Sequence, residues 1–175
     1  MNTDYLDRLS EAEWKTMASC SGIDPVELQG KMKEALKNCP EPSGPPQVTV
    51  TRHGSEEVSA AEDEPREIVI GLGDLCSIKL AVSAQIRSIK DFKILVKYTF
   101  MLLGFPVLGE EIKFDQDRLE HSMPVEVPGI AGSITVGWRF KENHKWVCSI
   151  FGARLKILWL DPLEVKTDLI CLPVP

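Results

Sequence analysis

The chain has little that suits catalysis. It holds three histidines and five cysteines in 175 residues, all scattered. His53, His121 and His144 lie far apart, and neither a Cys-x-x-Cys nor a His-x-x-x-His pair occurs. A zinc site needs about four ligands, typically including such a close pair, so no metal is expected. His144 and Cys148 share strand parity, but four residues along a strand span ~13 Å, too far for a thiol–imidazole couple. Gly71-Leu72-Gly73 follows a predicted strand, yet Cys76 stands where a dinucleotide loop has its third glycine, and another strand follows where a helix is required. Glu110-Glu111 and Asp115-Gln116-Asp117 read as solvated charge at strand ends. The expectation is a protein that is not an enzyme, with no cofactor and no small-molecule substrate.

Other absences narrow the setting. No apolar run approaches the ~20 residues of a membrane span, so any membrane contact is expected to be peripheral. Residues 1–8 lack an apolar core, which predicts no signal peptide, and Met1-Asn2 lacks the glycine that myristoylation needs. Cys20, Cys39, Cys76, Cys148 and Cys171 are odd in number and widely spaced, which reads as free thiols in a reducing cytosol. A basic excess is also missing. The net charge is −6. Residues 1–67 carry 14 acidic and 7 basic side chains, whereas 68–175 carry 12 and 13. Any positive charge must therefore act locally, and wholesale nucleic-acid binding is not predicted.

What is present falls into three parts. Residues 1–38 form an N-terminal arm with two short helices. Ser10-Glu11-Ala12-Glu13 has capping-box spacing, and Asp24-Pro25-Val26-Glu27 repeats the device with proline at the tolerant first position. Trp14 and Met17 on the first helix, and Leu28, Met32, Ala35 and Leu36 on the second, make sticky faces. Helices this short need a partner surface, and docking on a neighbouring subunit is the expectation. Residues 39–66, with Pro40, Pro42, Pro45, Pro46 and runs of Glu and Asp, read as a disordered acidic linker. Residues 67–175 read as one globular domain, long enough to bury its own core.

Within that domain, Glu67 to Leu72 begins a strand. Ile78, Leu80, Val82, Ala84 and Ile86 then alternate with polar or small residues, a half-buried strand. Ser88-Ile89-Lys90-Asp91 has a cap-like pair, and Ile89, Phe92, Leu95, Val96, Phe100 and Leu103 are spaced as one helical face ending at Gly104. Further strands are predicted at 107–114, 124–127, 132–140, 145–151, 153–160 and 165–172, with Lys141 to His144 as a hairpin turn. Trp138 and Trp146 are both expected to be buried. The fold class is α+β: an antiparallel sheet packed by a main helix, with a flexible N-terminal arm.

Two segments carry functional options. Lys90, Lys93 and Lys97 share one side of the predicted helix, as a solvated face or as a positive stripe. Phe105, Pro106, Val107 and Leu108 follow it, either folded back as core or exposed as an apolar loop that enters a membrane or a neighbouring subunit.

The domain resembles the globular domain of rhabdovirus matrix proteins over about 68–168. Lys79 to Gln85 with Phe92-Lys93-Ile94-Leu95 is similar to the family's first long strand and following helix. Leu108-Gly109-Glu110-Glu111-Ile112-Lys113-Phe114 resembles a segment that enters its next strand. Ser133 to Phe140, Lys145 to Ile150 and Leu158-Trp159-Leu160-Asp161 are similar to its closing strands. The resemblance implies a non-enzymatic structural protein of the virion. Such a protein self-associates through its arm, condenses the nucleocapsid, meets the glycoprotein tail and lines the inner face of the envelope. It implies membrane contact through the loop that Gly104 to Gly109 would form. The family's lysine-rich N-terminus is absent, and Pro45-Pro46-Gln47-Val48 has valine where the budding motif has tyrosine; the short length and the missing motif resemble plant-infecting, cytorhabdovirus-like members more than animal ones. A cytosolic adaptor with an acidic arm is the alternative from another class, followed by a viral accessory or RNA-binding factor.

Overall fold

The computed structural model describes residues 4–38, 48–53, 66–72, 75–127, 130–157 and 162–175. Three helices come first: α1 (Asp4–Asp7), α2 (Glu11–Ser21) and α3 (Pro25–Asn38). Nine strands follow among the described residues: β1 (Val48–His53), β2 (Arg66–Leu72), β3 (Cys76–Ser88), β4 (Asp91–Leu102), β5 (Phe105–Phe114), β6 (Glu120–Val127), β7 (Ile130–Lys141), β8 (Trp146–Ile157) and β9 (Leu163–Pro173). Each strand within a sheet pairs antiparallel with its sequence neighbour, giving a five-stranded sheet in the order β1 to β5 and a four-stranded sheet in the order β6 to β9. The fold is mixed α+β, dominated by antiparallel sheet.

The main helix expected after Ser88 is instead strand β4. Phe92, Val96 and Phe100 are four residues apart, so they share a face in a helix and in a strand alike. Ile94, Tyr98 and Leu102 break the tie: with the other three they form an unbroken alternation, and all six are buried. Lys93, Leu95 and Lys97 point the other way. Aromatic and β-branched residues at every second position suit a pleated, half-buried surface. The cap-like pair closes a hairpin: the Lys90 amide donates to Ser88 Oγ at 3.2 Å, and Arg87 meets Asp91 at 3.8 Å. At the other end of β4, Leu103 (φ 53°) and Gly104 (φ 83°) form the turn into β5. Positive φ at both central residues matches the twist of a two-residue hairpin.

The two sheets face each other. Phe92 of β4 lies edge-on to Phe140 of β7, with centroids 5.7 Å apart, and Phe114 of β5 meets Trp138 of β7 at 6.3 Å. Ile78, Leu80, Phe100, Phe114, Ile134, Val136 and Phe151 fill the space between them. Each such side chain contributes ~1.5–3 kcal/mol on burial. The sheets are joined at a tight corner where Asp115 and Arg118 exchange backbone hydrogen bonds, and Asp115 Oδ1 accepts from the amides of Asp117 and Arg118.

Several expectations change. Trp138 is buried as predicted, but Trp146 is only half-buried. β7 pairs Phe140 with Val147 and Trp138 with Ser149, so Val147, Ser149 and Phe151 turn inward while Trp146, Cys148 and Ile150 take the outer side. The segments 145–151 and 153–160 were expected as two strands; Trp146–Ile157 is one, continuous through Gly152. Val48–His53, placed in the linker, forms an edge strand on β2, because Val48-Thr49-Val50-Thr51 is itself a β-branched run. Arg66, also placed in the linker, opens β2, and residues 39–47 and 54–65, Cys39 included, lie outside the described residues.

Free thiols were expected at Cys148 and Cys171, yet the β8–β9 register sets the two directly opposite with Cα atoms 4.0 Å apart, and they form a disulfide. Cys20 and Cys76 are free.

Candidate functional site

The arm comes first, because its predicted role required free faces. The capping box forms as read: Glu13 N donates to Ser10 Oγ and Ser10 N to Glu13 Oε2, both at 3.2 Å. Asp24 caps α3 by accepting from the amides of Val26 and Glu27. Trp14, Met17, Leu28, Met32 and Leu36 are each at most 4% exposed, joined to the same core as the sheets. The partner surface that two short helices need is thus supplied within the chain: α2 lies on β5 and on α3. These five residues, expected from the sequence as a self-association face, are packing residues in the described chain.

The lysines behave differently. Lys93 and Lys97 sit on the outer face of β4, while Lys90 is in the hairpin turn. Phe105, Pro106, Val107 and Leu108 belong to β5. Phe105 and Leu108 pack against the core and Val107 is 3% exposed, which favours the core option over an exposed loop. Phe105 pairs with Leu102, nine residues along β4 from Lys93. At the strand rise that is about 30 Å, twice the separation a helix would give. The structure thus sets Lys90 and Lys93 far from the apolar segment, while Lys97 is nearer, three residues along β4 from Phe100, the partner of Leu108.

Strand pairing gathers other residues instead. Ser83 of β3, Leu95 of β4 and Lys113 of β5 lie in one row across the five-stranded sheet; Ala81, Lys97 and Glu111 form the next, and Gln85 pairs with Lys93. Leu95 is 39% exposed, with Lys93 and Lys97 two residues to either side and Lys113 directly opposite. Lys79, two rows from Leu95, adds a fourth cation opposite Thr99. Ser83, Gln85, Lys93, Leu95 and Lys113 border a shallow hollow of about 430 Å³. None of these four lysines has an ion-pair partner among the described residues. Neighbouring positions here are ~5–7 Å apart, within a Debye length, so their fields add. Lys79, Leu95 and Lys113 were missed as site residues because they share a face only once β3, β4 and β5 are aligned at period two.

The remaining candidates resolve structurally. Arg118 and His121 Nδ1 are 2.8 Å apart, His144 lies against the Phe140 ring, and Cys148 is committed to its disulfide. The described part of the Gly71-Leu72-Gly73 segment is strand, and a Cβ on Gly71 would press on Thr49 Oγ1 of the neighbouring edge strand β1. Tyr98 donates to Glu110 Oε2 at 3.4 Å; burial first, and then the charge and hydrogen bond of Glu110, push its phenol up to about 12. Burial likewise pushes the Cys76 thiol up to about 12, leaving it a protonated core residue. Among the described residues no group of three or more His, Cys, Asp or Glu side chains could hold a metal ion, and no helix is long and apolar enough to cross a membrane. What the lysine face can do chemically is attract phosphate-bearing surfaces and seat an aliphatic contact at Leu95. Comparisons with protein-family models, with curated proteins and with solved structures found no match.

Proposed function

We propose that this is a non-enzymatic structural protein of the matrix kind, which lies against an anionic surface through the outer face of its five-stranded sheet. The observation that supports this most is the set of Lys79, Lys93, Lys97 and Lys113, without an ion-pair partner among the described residues, around the exposed Leu95. Each lysine near an anionic membrane contributes ~1 kcal/mol, falling off within a Debye length. Leu95 adds a modest apolar term if it enters the interface. Individually these are weak, but copies held together in a polymer would multiply them.

The resemblance to rhabdovirus matrix proteins supplies the rest of the proposal: self-association, condensation of the nucleocapsid, contact with a glycoprotein tail, and a place on the inner face of the virion envelope or on host membranes. One part of that resemblance is weakened, since Phe92 to Leu95 belongs to a strand where the family pattern implies a helix. Membrane contact is therefore assigned to the lysine face and not to Phe105–Leu108.

The test is cosedimentation of the protein with vesicles containing phosphatidylserine. The triple substitution Lys93→Gln, Lys97→Gln and Lys113→Gln should abolish binding at 150 mM salt, roughly the physiological range where screening length is ~8 Å. Undiminished binding by the folded variant overturns the proposal. A cytosolic adaptor is the second reading. It is favoured by the closure of α2 and α3 on the chain's own sheet, which leaves a monomer complete. Sedimentation separates the two: ordered, salt-dependent polymers support the matrix proposal, and a monomer at every salt concentration supports the adaptor.

A further inference from the structure

The outer face of the four-stranded sheet has a different character. Pairing sets Glu120, Gly137, Ile150 and Asp168 in one row across β6 to β9, and Ser122, Thr135, Gly152 and Lys166 in the next. Gly137 is thus directly opposite Ile150 and Gly152 is two residues along β8 from it, so the two glycines are diagonal neighbours, and the missing side chains leave a hollow of about 270 Å³, near the lower end of small-molecule sites (~300 Å³).

Neither glycine is needed for the backbone. Neither has positive φ. A Cβ on Gly137 would lie 3.6 Å from Glu120 Cγ, and one on Gly152 would lie 3.8 Å from Val165 O, both ordinary contacts. Glycine in a strand interior weakens it, so two dispensable glycines on one face call for another reason.

The rim supplies one. Arg154 is held by Glu164 through Nε and Nη2, at 3.1 and 3.0 Å. Arg139 and Lys166 have no ion-pair partner among the described residues, and neither has Glu120, although all three border the hollow. Two cations and one carboxylate without ion pairs among the described residues, with the Ser133 hydroxyl, offer donors for a phosphate and acceptors for sugar hydroxyls; the Thr135 hydroxyl already shares a hydrogen bond with Ser122 Oγ at 2.8 Å.

We propose that the hollow over Gly137 and Gly152 is a binding site for a phosphomonoester carried on a hydroxylated ring, with Arg139 and Lys166 on the phosphate and Glu120 on the ring hydroxyls. The site binds and does not turn over its ligand. It is independent of the lysine face on the opposite sheet.

The experiment is titration of the full chain with ribose 5-phosphate, followed by backbone amide shifts, with ribose and inorganic phosphate as the two halves. Ribose 5-phosphate should bind about tenfold or more tightly than either half, with shifts centred on β7 and β8. Gly137→Ala with Gly152→Ala should remove binding while the melting temperature stays level or rises. Arg139→Gln should weaken binding about tenfold. A soluble sugar phosphate and a phosphoinositide headgroup present the same chemistry, and vesicles carrying phosphatidylinositol 4-phosphate distinguish them. Cosedimentation that the double alanine variant loses, while Lys93→Gln/Lys97→Gln/Lys113→Gln keeps it, assigns the site to a headgroup; ribose 5-phosphate binding without cosedimentation assigns it to a free ligand. The proposal is overturned if ribose 5-phosphate binds no better than inorganic phosphate, or if the folded double alanine variant binds it unchanged.

Discussion

The two sheets share one core and differ on their outer faces. On the four-stranded sheet, part of the charge is matched across strands, Arg154 with Glu164 and Lys141 with Asp168 at 2.8 Å, while Glu120, Arg139 and Lys166 around the hollow have no ion-pair partner among the described residues. On the five-stranded sheet, lysines crowd around Leu95, and Glu111, the acid beside Lys97, makes no ion pair there among the described residues. Matched charge serves register, since opposite charges across strands stabilise one pairing. An excess of one sign that makes no ion pairs among the described residues does little to fix register. It costs a little stability through repulsion and is explained more readily by something outside the chain.

The comparison breaks first at the core. Trp138→Ala on the inner side of β7 should cost ~3–5 kcal/mol in denaturant melts, whereas Trp146→Ala, half-exposed on the outer side of β8, should cost clearly less. Equal losses would mean that the faces of β8 are wrongly oriented. Next is the disulfide between β8 and β9. Replacing both Cys148 and Cys171 with serine should cost ~2–4 kcal/mol, and the parent protein should show the bond by mass spectrometry under non-reducing conditions. A melting curve unchanged by reductant would remove the bond from the stability account.

A smaller effect separates the outer faces. Arg154→Ala should cost only ~0.2–1 kcal/mol, because the pair with Glu164 is exposed. Lys97→Ala should leave stability within ~0.5 kcal/mol, as most surface changes do. A marked loss for Lys97→Ala would make it structural and weaken the case for an external partner.

The pH dependence sharpens the inner edge of the five-stranded sheet. Tyr98 titrates from an ordinary 10.0 up to about 12 in the folded chain, so the fold favours the protonated phenol. That stabilisation is full below pH about 10 and is lost as pH rises through about 12. Glu110→Gln should lower the Tyr98 midpoint, read by tyrosinate absorbance.

Much of the β-rich domain was legible in sequence. The alternation from Ile78 to Val82, the burial of Trp138 and the turn at Lys141 to His144 all followed from period and turn chemistry, and Ser10 with Glu13 announced its own cap. β4 was not read correctly because Phe92, Val96 and Phe100 satisfy both periods, and the deciding positions, Ile94, Tyr98 and Leu102, were left out of the helical face. The orientation of Trp146 was hidden for another reason: sequence parity groups it with Cys148 and Ile150, but only pairing with β7 says which group turns inward. Register also hid the Cys148–Cys171 bond, since a bulge between Cys148 and Ile150 offsets the β9 partners. The site residues Lys79, Leu95 and Lys113 come from three strands and meet only when those strands are aligned.

The corner at Asp115 to Arg118 has a kinetic meaning. Within each sheet every strand pairs with the next in sequence, so most of these pairings close a short loop, and the entropy of closure rises only slowly with loop length. The contacts that bind one sheet to the other, Phe92 with Phe140 and Phe114 with Trp138, span far longer stretches of chain. Hairpin pairing within a sheet is thus local in sequence, whereas burying the shared core requires one sheet to fold onto the other about that corner. Its four residues, held by the Asp115 carboxylate, set the direction in which the two halves meet.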